Sequence, residues 1–97
     1  MDDKKVLEVI AIYREHLAGV NMTYPIDYPH DERVTYRADI LSHCHGMLDQ
    51  MEEFVRQGRM EKAFRWLGFI QGCLWSQGCY VLEELKNHNR PDTKEGV

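Results

Sequence analysis

From Trp66 to Leu82 no residue carries a charge, and the apolar side chains of this region point in most directions around a helix. Ala63, Phe64, Leu67, Ile70, Leu74, Val81, Leu82 and Leu85 fall on one broad face, and Trp66, Phe69, Cys73 and Tyr80 on another. A helix that is apolar all round is buried all round, and one neighbouring helix covers only one of its sides. Whatever this chain folds into must supply more than one cover for that segment.

The length, 97 residues, is that of one domain with a modest core, and 43% hydrophobic with 29% charged residues is ordinary for a globular protein. Apolar positions recur at helical rather than strand spacing throughout. Residues 2–18 form the first expected helix, capped by Asp2 or Asp3, with Val6, Ile10, Tyr13 and Leu17 inward and Gly19 as its stop. Residues 19–30 form a connection containing Tyr24-Pro25 and Tyr28-Pro29, and each proline disfavours helix for itself and its predecessor. Tyr24, Ile26 and Tyr28 are suited to lie over the core as a lid or to line a groove.

Asp31 caps a second expected helix over 31–57, roughly 40 Å long, with Val34, Ala38, Leu41, Leu48, Met51 and Val55 on its buried side. Gly58 reverses the chain into a third helix over 59–89, which Pro91 cannot continue, leaving 90–97 as a polar, frayed tail. The expected fold class is therefore all-α, a single domain over 1–97. It is a long antiparallel helical hairpin plus a shorter N-terminal helix, completing a bundle by oligomerisation.

Small residues recur on both arms of this hairpin. Ala38, Ser42 and Gly46 are four apart on one, and Gly68, Gly72 and Ser76 four apart on the other. With the chain reversing at Gly58, the two rows coincide. Glycine inside a helix costs about 1 kcal/mol relative to alanine, so the rows are expected to serve a close approach of the two backbones. The apolar surface left over on the third helix predicts self-association, as a homodimer or higher, through Trp66, Phe69, Cys73 and Tyr80. A membrane span is the rival explanation. The uncharged run is at the short limit for one and is interrupted by Gln71, Ser76 and Gln77, which speaks against it.

Candidate chemistry is sparse. His43 and His45 are two apart on a helix and point about 200° apart, whereas helical metal ligands are spaced by three or four. Cys44 falls near Cys73 in the hairpin pairing, which makes a mixed Cys/His zinc site conceivable, but no metal or cofactor is assigned. Asp49, Glu52 and Glu53 lie near the turn while Glu83 and Glu84 lie at the far end of the third helix, so the two groups do not form one magnesium cluster within a hairpin. A metal-dependent enzyme is accordingly the weakest reading. Arg56, Arg59, Lys62 and Arg65 make the one basic patch, and with Tyr24 and Tyr28 they are the candidate site for a small anionic ligand, a nucleotide or an acidic partner. The net charge of −4 speaks against nucleic acid as a partner. The odd number of cysteines without a CxxC pair is that of reduced thiols, and Met1-Asp2-Asp3-Lys4-Lys5 has no apolar signal core.

At Glu61-Lys62-Ala63-Phe64-Arg65-Trp66-Leu67-Gly68-Phe69-Ile70-Gln71-Gly72, followed by Leu74-Trp75 and by Glu84-Leu85 to Asn89-Arg90, the chain resembles small proteins of tailed phages and prophages. The resemblance covers the third helix, and its most specific part is the run from Arg65 to Gly72. It implies expression in the cytoplasm of a bacterial host and points to a small accessory protein that binds a host or phage factor; the expected function is a non-enzymatic, homo-oligomeric interaction module. It assigns no residue a function.

Overall fold

The computed structural model describes residues 1–22 and 27–91. Within them the protein is all-helical and has no strand. Helix α1 spans Asp3–Gly19, α2 Arg37–Arg56, α3 Met60–Ser76 and α4 Leu82–Asn89. Among these residues, no helix is long and apolar enough to cross a membrane.

Helix α1 begins as its sequence dictates: the Asp2 carboxylate accepts a hydrogen bond from the Lys5 N–H at 2.9 Å. The three longer helices end by one device. The residue after each C-cap takes a left-handed conformation: Asn21 (φ 63°), Gly58 (φ 73°) and Gly78 (φ 75°). The next residue then donates its N–H back to the carbonyl three positions inside the cap. Met22 bonds Leu17 at 2.8 Å, Arg59 bonds Phe54 at 2.8 Å and Cys79 bonds Leu74 at 2.9 Å. The stop of α1 is thus Asn21 and not Gly19, which remains helical.

Two expected boundaries move. Helix α2 starts at Arg37, six residues after Asp31, because its partner α3 ends at Ser76. Upstream of Arg37 an antiparallel arm would have nothing to pack on, and most helical stability comes from such packing. Residues 31–38 are all exposed, Val34 and Ala38 among them. The expected helix over 59–89 is two helices. Gly78 breaks it, and α4 folds back against α1 and the flank of α3 instead of running on.

Helix α2 lies between α1 and α3. The core is made by Val6, Ile10, Tyr13 and Leu17 of α1, by Leu41, Leu48, Met51 and Val55 of α2, and by Ala63, Leu67, Ile70 and Leu74 of α3, with Leu85 of α4 closing one end. Each expected inward position of α1 is buried, as are those of α2 from Leu41 onward.

The small rows do not mediate the contact of α2 with α3. Gly68, Gly72 and Ser76 are exposed, and a Cβ added at Gly68 or Gly72 would meet nothing within 4 Å. On α2 only Ser42 is buried, while Gly46 is half-buried and Ala38 exposed. The apolar stripe of Ala63, Leu67, Ile70 and Leu74 is what faces α2, and it rotates the glycines outward.

Candidate functional site

The outward side of α3 is the first feature to set against function. Phe64, Gly68, Gly72 and Trp75 succeed one another at steps of four, four and three, so they share one face, with Phe69 and Ser76 along its edge. Phe69 is 54% exposed, Trp75 51% and Phe64 40%. Two glycines make a shallow floor and three aromatic rings stand around it. At the far end the floor continues into a groove of about 280 Å³ between α3 and α4, lined by Gln71, Gly72, Trp75, Leu82, Leu85, Lys86 and Asn89.

The other residues expected to self-associate are engaged inside the chain. The Trp66 ring meets Phe54 edge-on at 4.9 Å. The Tyr80 ring lies 5.6 Å from Tyr13 and 4.8 Å from both His16 and His88. Cys73 is half-buried on α3. Phe69 alone of the four projects outward. The sequence reading missed Gly68, Gly72 and Trp75 as a surface because it placed the glycines between the helices.

The flank of α3 that α4 covers carries a closed polar network. The Gln71 amide donates to the Tyr13 hydroxyl at 2.9 Å and to the Asn89 side-chain oxygen at 2.8 Å. It accepts from the Asn89 amide at 3.1 Å. Both of its N–H donors are therefore used. The Tyr13 hydroxyl lies 3.0 Å from His88 Nδ1. Since Tyr13 already accepts from Gln71, its own O–H is assigned to the ring nitrogen, and His88 is neutral with its proton on Nε2. Burial pushes Tyr13 up to about 12 and holds His88 below its ordinary value. These side chains satisfy one another and serve the fold.

The cations of the basic patch make contacts within the chain. Arg56 pairs with Glu52 and, at 3.1 Å, with Glu53, and Arg65 pairs with Glu61 at 3.4 Å. Arg59 lies 5.1 Å and Lys62 4.7 Å from the centre of the Phe54 ring. Each of the four cations therefore has a partner within its own chain. Tyr24 and Ile26 lie outside the described residues. Tyr28 is half-buried and donates its N–H to His43 Nδ1 at 3.2 Å. Unforeseen in the sequence, Arg14 of α1 reaches Asp49 at 2.6 Å and Glu52 at 2.8 Å. That contact holds Glu52 below the usual carboxylate range.

On the opposite edge of α3 a cleft of about 360 Å³ opens between the segment from Tyr28 to Val34 and the two hairpin arms. Ile40 and His43 of α2 and Phe69, Cys73 and Ser76 of α3 form its floor. Among the described residues, no group of three or more His, Cys, Asp or Glu side chains is placed to hold a metal ion. The chain matches no protein-family model, no curated protein and no solved structure.

Proposed function

We propose that the protein is a non-enzymatic helical interaction module that pairs with a second copy of itself across the outward side of α3, and that in this form it serves as a phage accessory protein engaging a host or phage factor. The observation that carries the self-pairing is the composition of that surface: exposed glycines at Gly68 and Gly72 beside the exposed rings of Phe69 and Trp75, with no charge between them. Depressions and projections lie on the same face. A two-fold axis sets the rings of one copy over the glycines of the other, so the surface is complementary to itself. The uncharged stretch between these rings and glycines matches it to an equally uncharged partner. The close approach that the glycines allow is then between subunits rather than between α2 and α3. The phage context rests on the resemblance of the α3 sequence.

Sedimentation equilibrium at micromolar concentration tests the pairing. The wild type should sediment as a dimer, and Gly68→Leu and Gly72→Leu should sediment as monomers with unchanged helix content, because their new side chains meet open space in the single chain. A monomeric wild type overturns the proposal, and so do leucine variants that dimerise as well as the wild type.

A further inference from the structure

The segment from Tyr28 to Val34 is not helical, and it walls one side of the cleft above Ile40, His43 and Phe69. Two hydrogen bonds fix it there. The Tyr28 N–H donates to His43 Nδ1 at 3.2 Å, and the Tyr28 hydroxyl donates to the Arg33 carbonyl at 3.3 Å. The wall is thus tied to α2 and to itself, and the cleft is formed before anything enters it. Its volume of about 360 Å³ stands at the small end of the range for ligand sites, roughly 300–1,000 Å³. That is room for one small molecule.

The lining sets the chemistry of the occupant. Pro29, Val34, Ile40 and Phe69 offer apolar surface, and the His43 and Phe69 rings stand 75° to one another with centroids 6.4 Å apart. Glu32 is the one carboxylate of the lining. Neither Arg33 nor Arg37 lines the cleft, and Arg37 is turned to the Gln77 carbonyl. The Ser76 hydroxyl donates to the Cys73 carbonyl at 2.9 Å, and its oxygen accepts from Gln77 at 3.4 Å with a second lone pair left over. Because Tyr28 occupies Nδ1 of His43, the neutral ring carries its proton on Nε2 and accepts nothing further. The acceptors open to a ligand are therefore a carboxylate and a hydroxyl oxygen, set beside the rings of Tyr28 and Phe69. A carboxylate next to aromatic rings favours an ammonium ion over a neutral or anionic head.

We propose that this cleft binds a small organic amine with an aromatic or branched apolar body, its ammonium paired with Glu32 and its body resting on Ile40 and Phe69. An anion of the same shape is repelled by Glu32, and a neutral analogue forfeits the ion pair. Phe69 also borders the outward face of α3, but neither Gly68 nor Gly72 lines the cleft, so the site is complete within one chain.

The test titrates the full-length protein, labelled with nitrogen-15, with phenethylamine at pH 7 and follows the backbone amide resonances. Phenethyl alcohol and hydrocinnamate, which keep the ring and change the head, are titrated in parallel. Phenethylamine should give saturable shifts confined to Glu32, Val34, His43, Phe69 and their neighbours. The alcohol and hydrocinnamate should bind more weakly by about tenfold or more. Glu32→Gln should bring the amine down to the affinity of the alcohol. Val34→Arg, which puts a cation into the lining, should abolish amine binding. Both positions are exposed, so neither change disturbs the core. Hydrocinnamate binding as tightly as the amine, a preference for the amine that survives Glu32→Gln, shifts that map to the groove between α3 and α4, or no saturable shift at all overturns the proposal. The titration is repeated on Gly72→Leu, which keeps every lining residue. Amine binding there should match the wild type whether or not the wild type pairs, so the result reads separately from the dimer, and its loss in that variant overturns a site within one chain.

Discussion

The arms of the hairpin, α2 and α3, are joined by a tight turn and finished in opposite ways. Helix α2 is packed on two sides, by α1 and α3, and its polar side is clamped where Arg14 of α1 holds Asp49 and Glu52. Helix α3 is packed along its length by α2, and α4 reaches only one flank at its C-terminal end. What remains is an uncharged strip with two bare glycines. The more hydrophobic arm is thus the less completely covered one. Burying an apolar side chain is worth about 1.5–3 kcal/mol. Under the proposed pairing, the arm left half-dressed is the one a second copy completes, whereas α2 belongs to the fold itself.

Truncations separate the two arms most strongly. Leu48→Ala on α2 removes a fully buried side chain and should cost about 3 kcal/mol by urea denaturation. Trp75→Ala on α3 removes a larger but half-exposed side chain and should cost the monomer less, about 1 kcal/mol, when measured at concentrations too low for pairing. At higher concentration the same variant should lose the dimer. Equal losses for the two variants in the monomer would erase the contrast between the arms.

Glycine replacements sharpen the contrast, because one chemical change should act with opposite signs. Gly78→Ala puts a Cβ on a residue at φ 75° and should cost about 1–2 kcal/mol. Gly72→Ala places its Cβ in open space on a regular helix and should stabilise the monomer by up to about 1 kcal/mol. The same Gly72→Ala change should weaken association by filling the floor of the face. Thermal melts at low concentration and sedimentation at high concentration check the two halves. A destabilised Gly72→Ala monomer would mean that the glycine is packed within its own chain.

The sequence carried most of the core and little of the outer surface. Val6, Ile10, Tyr13 and Leu17 could be read from helical spacing because a buried stripe leaves a periodic trace. Gly58 could be read as a turn because it ends an amphipathic run. The same signal stood at Gly78, but an apolar flank on either side disguised it as the middle of a longer helix. With α4 taken as a straight extension, the meeting of Tyr13, Gln71, His88 and Asn89 was out of reach, since it depends on the chain folding back at that glycine. The glycines of α3 were legible as a row, but not as to which side of the helix they faced. Spacing fixes which residues share a face, and only packing fixes where that face points.

Acidification probes the one flank of α3 that the chain covers for itself, and it should give the smallest effect. Burial holds His88 below the ordinary histidine value of 6.5, partly offset by Glu84. The unfolded chain therefore binds more protons than the folded one just below pH 6.5. Stability from this group is present above that pH, falls as the pH drops through it, and levels off once the folded ring is protonated as well. Protonation also removes the acceptor that Tyr13 uses. The release of Glu52 from Arg14 belongs to a separate window, since its carboxylate is held below 4.5. Trp75 borders the groove with α4, and Trp66 lies earlier on α3, against Phe54. In a Trp66→Phe background, acidification from pH 7 to pH 5 should shift the Trp75 emission to the red as α4 loosens. In Trp75→Phe the emission of Trp66 should stay in place. His88→Phe keeps the ring contacts with Tyr13 and Tyr80 and removes the titration, so it should abolish the Trp75 shift. A shift that survives His88→Phe would place the proton elsewhere and separate the covered flank of α3 from this histidine.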